Sequence, residues 1–185
     1  MTLRNTSSTT AAGGNQPLFR LSSAVRSALA QGEAVVALES TVIAHGLPHP
    51  LNLETALECE ATVTSAGSVA ATVGIIAGVP TIGLSREEIT QLATGQAPDG
   101  SRIEKVNLSN LGATVARRAW GATTVAGSIR IATLGGKRFD AEPRPLVFAT
   151  GGIGGVHRGA DLTFDISADL TALATMQIIC VCAGA

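Results

Sequence analysis

Short apolar runs alternate with longer segments of mixed polarity along most of this chain, and the two kinds of segment predict different elements. Ala34–Leu38 (AVVAL) is apolar throughout and too short for a helix, which predicts a strand buried on both faces. Leu146–Ala149 and Gln177–Cys182 read the same way. Ala70–Ala77 and Thr81–Leu84 flank Gly78-Val79-Pro80, a turn signal that predicts a hairpin. A helix is expected over Leu21–Gln31, capped by Ser22 or Ser23 and closed by Gly32. Another is expected from an Asn52 N-cap through Ala66, closed by Gly67. Ser85-Arg86-Glu87-Glu88 is a capping box and starts a helix that ends before Gly95. Ser109 or Asn110 is expected to cap the next helix, and Ala122–Leu134 and the stretch from Ser167 to Thr175 also read as helical. Gln96–Ser101 and Gly136–Pro145 read as surface loops.

Strands that alternate with helices and are mostly apolar throughout imply a sheet covered on both faces. The fold class expected is therefore α/β, a three-layer α/β/α arrangement. Its central sheet is mostly parallel, and mixed because of the hairpin.

Composition narrows the partners. The 185 residues suit one domain. A net charge of −1 with scattered basic residues argues against nucleic acid or a membrane surface. Aromatic residues at 3% leave no stacking platform for single strands. No apolar run approaches the roughly 20 residues that span a bilayer. Residues 1–16 read as a polar tail and 17–185 as the domain. The Arg, Ser and Thr content of residues 1–32, with no acidic residue, also suits a mitochondrial transit peptide, the alternative to a cytoplasmic protein. Cys59, Cys180 and Cys182 show no metal-ligand spacing and are expected as small buried hydrophobes in a reducing compartment. Cys180 and Cys182 are expected on opposite sides of their strand.

Three stretches carry candidate chemistry, each just after an expected strand, where open α/β sheets collect ligands. Glu39 follows AVVAL, and partial burial there would raise its pKa and suit it to general acid work. The plainer reading is a glutamate that caps a loop or pairs with an arginine. Thr150-Gly-Gly-Ile-Gly-Gly-Val-His157-Arg158 offers backbone N–H groups to an anion, with phosphate the natural guess. It lacks the G-x-G-x-x-G of a dinucleotide site and no Walker lysine follows, so a tight connection without a ligand is the alternative. Asp165-Ile166-Ser167-Ala168-Asp169 sets two carboxylates about a serine, which suits Mg²⁺ or Mn²⁺, or simply caps a helix. His45 and His49 read as loop residues rather than a metal pair, and Trp120 as core.

Taken together, VALESTVIAHGLPHPLNLETALECE, GATTVA at Gly121–Ala126, VFATGGIGGVHRGADLTFDISADL and the closing VCAGA resemble the pseudouridine-5′-phosphate glycosidases, the indigoidine synthase A-like family. The likeness runs from about Leu18 to Ala185. It implies cleavage of the C–C glycosidic bond of pseudouridine 5′-phosphate to uracil and ribose 5-phosphate. It also implies a divalent cation, typically Mn²⁺, an α/β/α fold and a homotrimer. Carried over residue by residue, the proton donor falls on Glu39, a substrate-binding lysine on Lys105 and a substrate-contacting valine on Val125. The metal-binding aspartate falls on Asp165, and substrate contacts on Ser167 and Asp169. Thr150 and His157 match the phosphate end of the pocket. The family's Schiff-base lysine comes immediately after CAGA, so it is expected one position past Ala185. Only Lys105 and Lys137 are present, and neither matches that role. The expectation is a chain that holds the acid, the anion site and the metal site without the nucleophile, its sheet incomplete at the C-terminus.

Overall fold

The protein was analysed as a computed structural model, which describes residues 18–139 and 146–184; for residues 136–139 the description is of the backbone alone. The strands are β1 (Arg20–Leu21), β2 (Val35–Leu38), β3 (Val69–Ile76), β4 (Val79–Ile82), β5 (Glu104–Val106), β6 (Gly121–Thr123), β7 (Leu146–Thr150) and β8 (Ile178–Cys182). The helices are α1 (Ser23–Gln31), α2 (Leu51–Ser65), α3 (Arg86–Ala93), α4 (Leu111–Ala116), α5 (Val125–Phe139), α6 (Ala160–Thr163) and α7 (Ala168–Thr175), with a π-helical turn at Val42–Gly46.

The sheet runs β1-β4-β3-β2-β7-β8, with β6 added to β3 and β5 to β6. The pairings β1–β4, β2–β3, β2–β7, β5–β6 and β7–β8 are parallel. β3 is antiparallel to β4 and to β6, so the sheet is mixed and mostly parallel as expected. The hairpin turns on Ala77 and Gly78, both at positive φ (49° and 81°), the pairing that matches strand twist in a two-residue loop. A Cβ on Gly78 would sit 2.6 Å from the Arg118 Cα, so no larger residue fits there.

Period-two alternation splits the core into two halves. Ala37, Ala71, Val73, Ile75 and Phe148 pack with Val25, Ala126, Ile129 and Ala172 on the face of α1, α5 and α7. Ile43, Ala56, Leu84, Ile89 and Leu92 form the second cluster, under α2, α3 and the π-helical turn. That second layer stops short of the last strands. Val147 pairs with Ile179 and Ala149 with Val181, and Ile179 and Val181 are half exposed. The second helical layer is therefore incomplete over β7 and β8.

Local sequence explains most of these elements. Ser22 Oγ accepts from Val25 N, and both halves of the Ser85–Glu88 capping box are made. Ser167 Oγ likewise accepts from Asp169 N at the start of α7. Other expectations need correction. Asn52 is not a cap but lies inside α2, where its Nδ2 donates to Ile43 O (2.6 Å) and Ala93 O (2.9 Å), tying the π-helical turn to α3. Gly121–Thr123 is strand rather than helix, because its backbone pairs with both β3 and β5. α5 runs on to Phe139, so the expected loop from Gly136 begins as helix, and residues 140–145 lie outside the described residues. So do residues 1–17, which hold the expected tail. The cysteines are not buried: Cys59 and Cys182 are exposed and Cys180 is partly so. Cys180 and Cys182 also share a face, as residues two apart on a strand must.

The junction of the sheet is closed by hydroxyls. On one edge of β3, β2 pairs as far as Thr72 and β6 takes over at Gly74. The carbonyl of Val73 falls in the gap and would be orphaned there. It accepts instead from Ser40 Oγ (2.6 Å) and Thr123 Oγ1 (2.8 Å). Ser40 Oγ also accepts from Thr123 N (2.8 Å), and the Ser128 hydroxyl lies 2.8 Å from that of Thr123. Ser40, Thr123 and Ser128 are fully buried. Replacing Ser40 with Ala strips the Val73 carbonyl and the Thr123 amide of a partner at once. The expected loss is about 1–3 kcal/mol in urea unfolding, and an unchanged midpoint would show that the knot carries no stability.

Candidate active site at the ends of β2, β7 and β5

Glu39 is the first residue past β2, and the knot at Ser40 fixes its backbone. Its neighbours on the parallel strand β7 bring Thr150 alongside, and Thr150 Oγ1 donates to Glu39 Oε1. Burial raises the pKa of the Glu39 carboxyl, and the nearby Asp169 charge raises it further. The Thr150 hydrogen bond and the Lys105 charge oppose them, but the net shift is upward. The folded state thus holds this proton more tightly than the unfolded chain does. That contribution to stability is present below the ordinary glutamate value and is lost as pH rises through the raised one. Among the described residues Glu39 has no arginine partner. Beside it lies a cavity of about 630 Å³, lined on the β2 and β7 side by Leu38, Glu39, Ala149 and Thr150 and on the α2 side by Ala56, Cys59 and Val63.

Asp169 holds the site together from the other face. It is buried, and its Oδ1 accepts from Ala126 N and its Oδ2 from Gly154 N, both at 2.9 Å. One carboxylate thus joins α7, the start of α5 and the glycine turn after β7. Val125, the first residue of α5, is 3% exposed and packs in the core, so what it presents at the site is backbone. Ser167 is the α7 cap. Lys105 sits on β5, exposed, and close enough for its charge to act on Glu39. Glu39 and Thr150 thus meet, Asp169 ties the glycine turn to the start of α5 next to Val125, with Ser167 as the cap two residues before it, and Lys105 acts on Glu39 through its charge alone.

Asp165 and His157 lie apart from them. They occupy an excursion from Val156 to Ile166, where the His157 amide donates to the Asp165 carbonyl (3.1 Å) and both side chains are exposed. Among the described residues no group of three or more His, Cys, Asp or Glu side chains gathers as a metal cage. Asp165 alone would suit an ion that keeps most of its waters.

A second cavity, about 560 Å³, opens beside β5 and is lined by His45, Arg102, Ile103, Glu104, Lys105 and Asn110. Neither its role nor that of the hydroxyl knot was read from the sequence. Ser40 and His45 stand in the ESTVIAHG motif and Thr123 in GATTVA, whereas nothing local marks Arg102 or Ser128.

Residues 24–185 match the family described as indigoidine synthase A like protein. The chain belongs to that family. It is 49% identical over 168 residues to pseudouridine-5′-phosphate glycosidases of Chloroflexus aurantiacus and of Escherichia coli K12, in each case over 91% of this chain. It spans about half the length of these curated relatives: 51% of the first and 50% of the second. Among solved structures it resembles a prealnumycin C-glycosynthase in complex with ribulose 5-phosphate. The TM-score is 0.76 and the identity 36%, over 92% of this chain and 51% of that one. An indigoidine synthase A-like protein of Thermotoga maritima gives a TM-score of 0.71 at 27% identity, over 91% of this chain and 51% of that one. The mitochondrial alternative gains no support from these bacterial relatives. Among the described residues no helix is long and apolar enough to cross a membrane.

The glycine turn gives a sharp test of this geometry. A Cβ on Gly154 would lie 2.4 Å from Ser167 Oγ and 2.6 Å from Ser167 Cβ, whereas one on Gly155 meets nothing within 4 Å. Gly154→Ala should therefore push Ser167 and Asp169 from their places and cost about 1–3 kcal/mol. Gly155→Ala should be neutral in the same thermal unfolding assay. Equal effects would contradict the packing described.

Proposed function

We propose that this chain carries the acid and sugar-phosphate part of a pseudouridine-5′-phosphate glycosidase site, with Glu39 as the proton donor. The observation that carries the reading is a carboxyl at a strand end, beside a cavity, with its pKa raised by burial and by Asp169. The family resemblance and the C-glycosyl chemistry named for a structural neighbour support it.

The bond to be broken joins two carbons, so no leaving oxygen is available to protonate, and the paired-carboxylate route of ordinary glycosidases does not fit. The carbon of the departing base must itself take up a proton. A carboxyl whose pKa is raised is suited to deliver it, and the burial of Glu39 beside the cavity supports that role. The other partner is an amine that replaces the base at C1′ of the opened ribose as an imine. Lys105 and Lys137 are the chain's only lysines. Lys105 is assigned to substrate binding, and Lys137 lies in the last turns of α5. Asp165 is the carboxylate we assign to a divalent cation such as Mn²⁺, and no step here runs through it. Assembly as a homotrimer and a cytoplasmic setting belong to the same proposal.

The test is uracil release from pseudouridine 5′-phosphate with Mn²⁺. The 185-residue protein is compared with a form extended by the family lysine and the second half of a relative. The extended form should release uracil, its Glu39→Gln variant should lose about a hundredfold or more in rate, and the 185-residue protein should be silent. Full activity of the Glu39→Gln variant would remove Glu39 from the chemistry. Turnover by the 185-residue protein would make Lys105 or Lys137 the amine.

A further inference from the structure

Leu38 and Ala149 pair at the ends of β2 and β7, so the residues that follow them, Glu39 and Thr150, stand side by side. Thr150 also pairs with Cys182 of β8, which fixes its backbone from both edges. Its hydroxyl has one proton to give. Glu39 Oε1 accepts it, and Gly152 O, 3.1 Å away, is the other acceptor in reach. The carboxyl is the stronger acceptor, because its bond becomes charge-assisted when Glu39 ionises.

The amides of the glycine turn are committed as well. Gly152 N lies 3.4 Å from Thr150 Oγ1, Ile153 N donates to Gly184 O (3.1 Å), and Gly154 N donates to Asp169 Oδ2 (2.9 Å). With its proton on Glu39, Thr150 has none left for an anion at this turn. Its place in the site is therefore at the acid, and not at the phosphate end where the family resemblance sets it.

A carboxylic acid accepts best on its carbonyl oxygen, so a donor fixed on Oε1 leaves the acid proton on Oε2. Thr150 is the one hydrogen-bond donor to this carboxyl among the described residues. Oε2 is not one of the buried atoms without a partner, so it opens to the site. Resting on the reading proposed above, we propose that Thr150 is a positioning residue for the proton transfer: it holds the Glu39 proton on Oε2 and stabilises the carboxylate left behind. The proton passes from Oε2 to the carbon of the departing base. The electron pair of the broken C–C bond stays with that carbon and binds the proton, and Thr150 keeps its own. The Thr150 bond lowers the Glu39 pKa against burial and Asp169, as a bond that favours the carboxylate must. Asp169 on α7 and Lys105 on β5 act on Glu39 by charge, and Glu58 and Cys59 of α2 line the same cavity.

Two variants separate this role from a structural one. Thr150→Val keeps the shape of the side chain and removes the hydroxyl, and Thr150→Ser keeps the hydroxyl. In a carbon-detected NMR titration of the 185-residue protein, the Glu39 midpoint should move up in Thr150→Val and return to the parent value in Thr150→Ser. In the form extended by the second half of a relative, Thr150→Val should lose roughly tenfold or more in kcat for uracil release, with KM within about twofold. Protonated Glu39 is the active form, so the rate falls as pH rises through its pKa. That limb should shift to higher pH in Thr150→Val. Thermal unfolding midpoints near that of the parent show that the fold survives, and Thr150→Ala replaces Thr150→Val if the latter does not fold. An unmoved Glu39 midpoint in Thr150→Val overturns this inference, and an inactive Glu39→Gln variant beside it leaves the glycosidase reading standing. A raised KM and weaker inhibition by inorganic phosphate, with kcat kept, would return Thr150 to the phosphate. Full activity of Glu39→Gln overturns the proposed function and this inference together, since no proton is then left to orient.

Discussion

The structure depends on one backbone carbonyl. β3 exchanges β2 for β6 along a single edge, and the Val73 oxygen lies where neither strand can satisfy it. In a fully buried junction an orphaned carbonyl costs on the order of 1–3 kcal/mol. The hydroxyls of Ser40 and Thr123 remove that cost and lock three strands at one point. The consequence for chemistry is positional. Ser40 cannot move without breaking the knot, so Glu39 is held at the mouth of β2 by the same bonds that close the sheet.

Asp169 plays the matching part on the β7 side. Both its oxygens are spent on backbone amides, one on α5 and one on the glycine turn, so it organises the wall of the site. It also contributes a charge near Glu39, which favours the neutral form of that carboxyl. A half-buried carboxyl with a carboxylate neighbour holds its proton more tightly than an exposed one does, and groups perturbed in this way are candidates for acid–base chemistry. Lys105 lies exposed on the β5 side.

Much of this was legible in the sequence. AVVAL and the Ser85 capping box each rest on a local rule and formed where the rule places them, and the hairpin also formed, though its turn is Ala77-Gly78 and Val79 and Pro80 already pair in β4. Glu39 was legible because a carboxylate directly after an apolar strand is already an anomaly. β5 and β6 were not, since three residues of Glu-Lys-Val or Gly-Ala-Thr show no period, and only their partners in space make them strands. Asn52 misled for a related reason. An asparagine ahead of an apolar stretch looks like a cap, but here its amide serves two carbonyls, Ile43 and Ala93, one of them far away in sequence. The Ser40–Thr123–Ser128 knot is likewise a product of long-range packing.

The central claim is that burial at the end of β2 keeps the Glu39 carboxyl protonated beyond the ordinary glutamate range. A carbon-detected NMR titration of the Glu39 side-chain carboxyl, assigned by comparison with the Glu39→Gln variant, measures this directly. The expected result is a midpoint clearly above the ordinary glutamate value of 4.5. A midpoint at or below that value would mean that the Thr150 hydrogen bond and the Lys105 charge outweigh burial, and that Glu39 is an ordinary carboxylate without a proton to give.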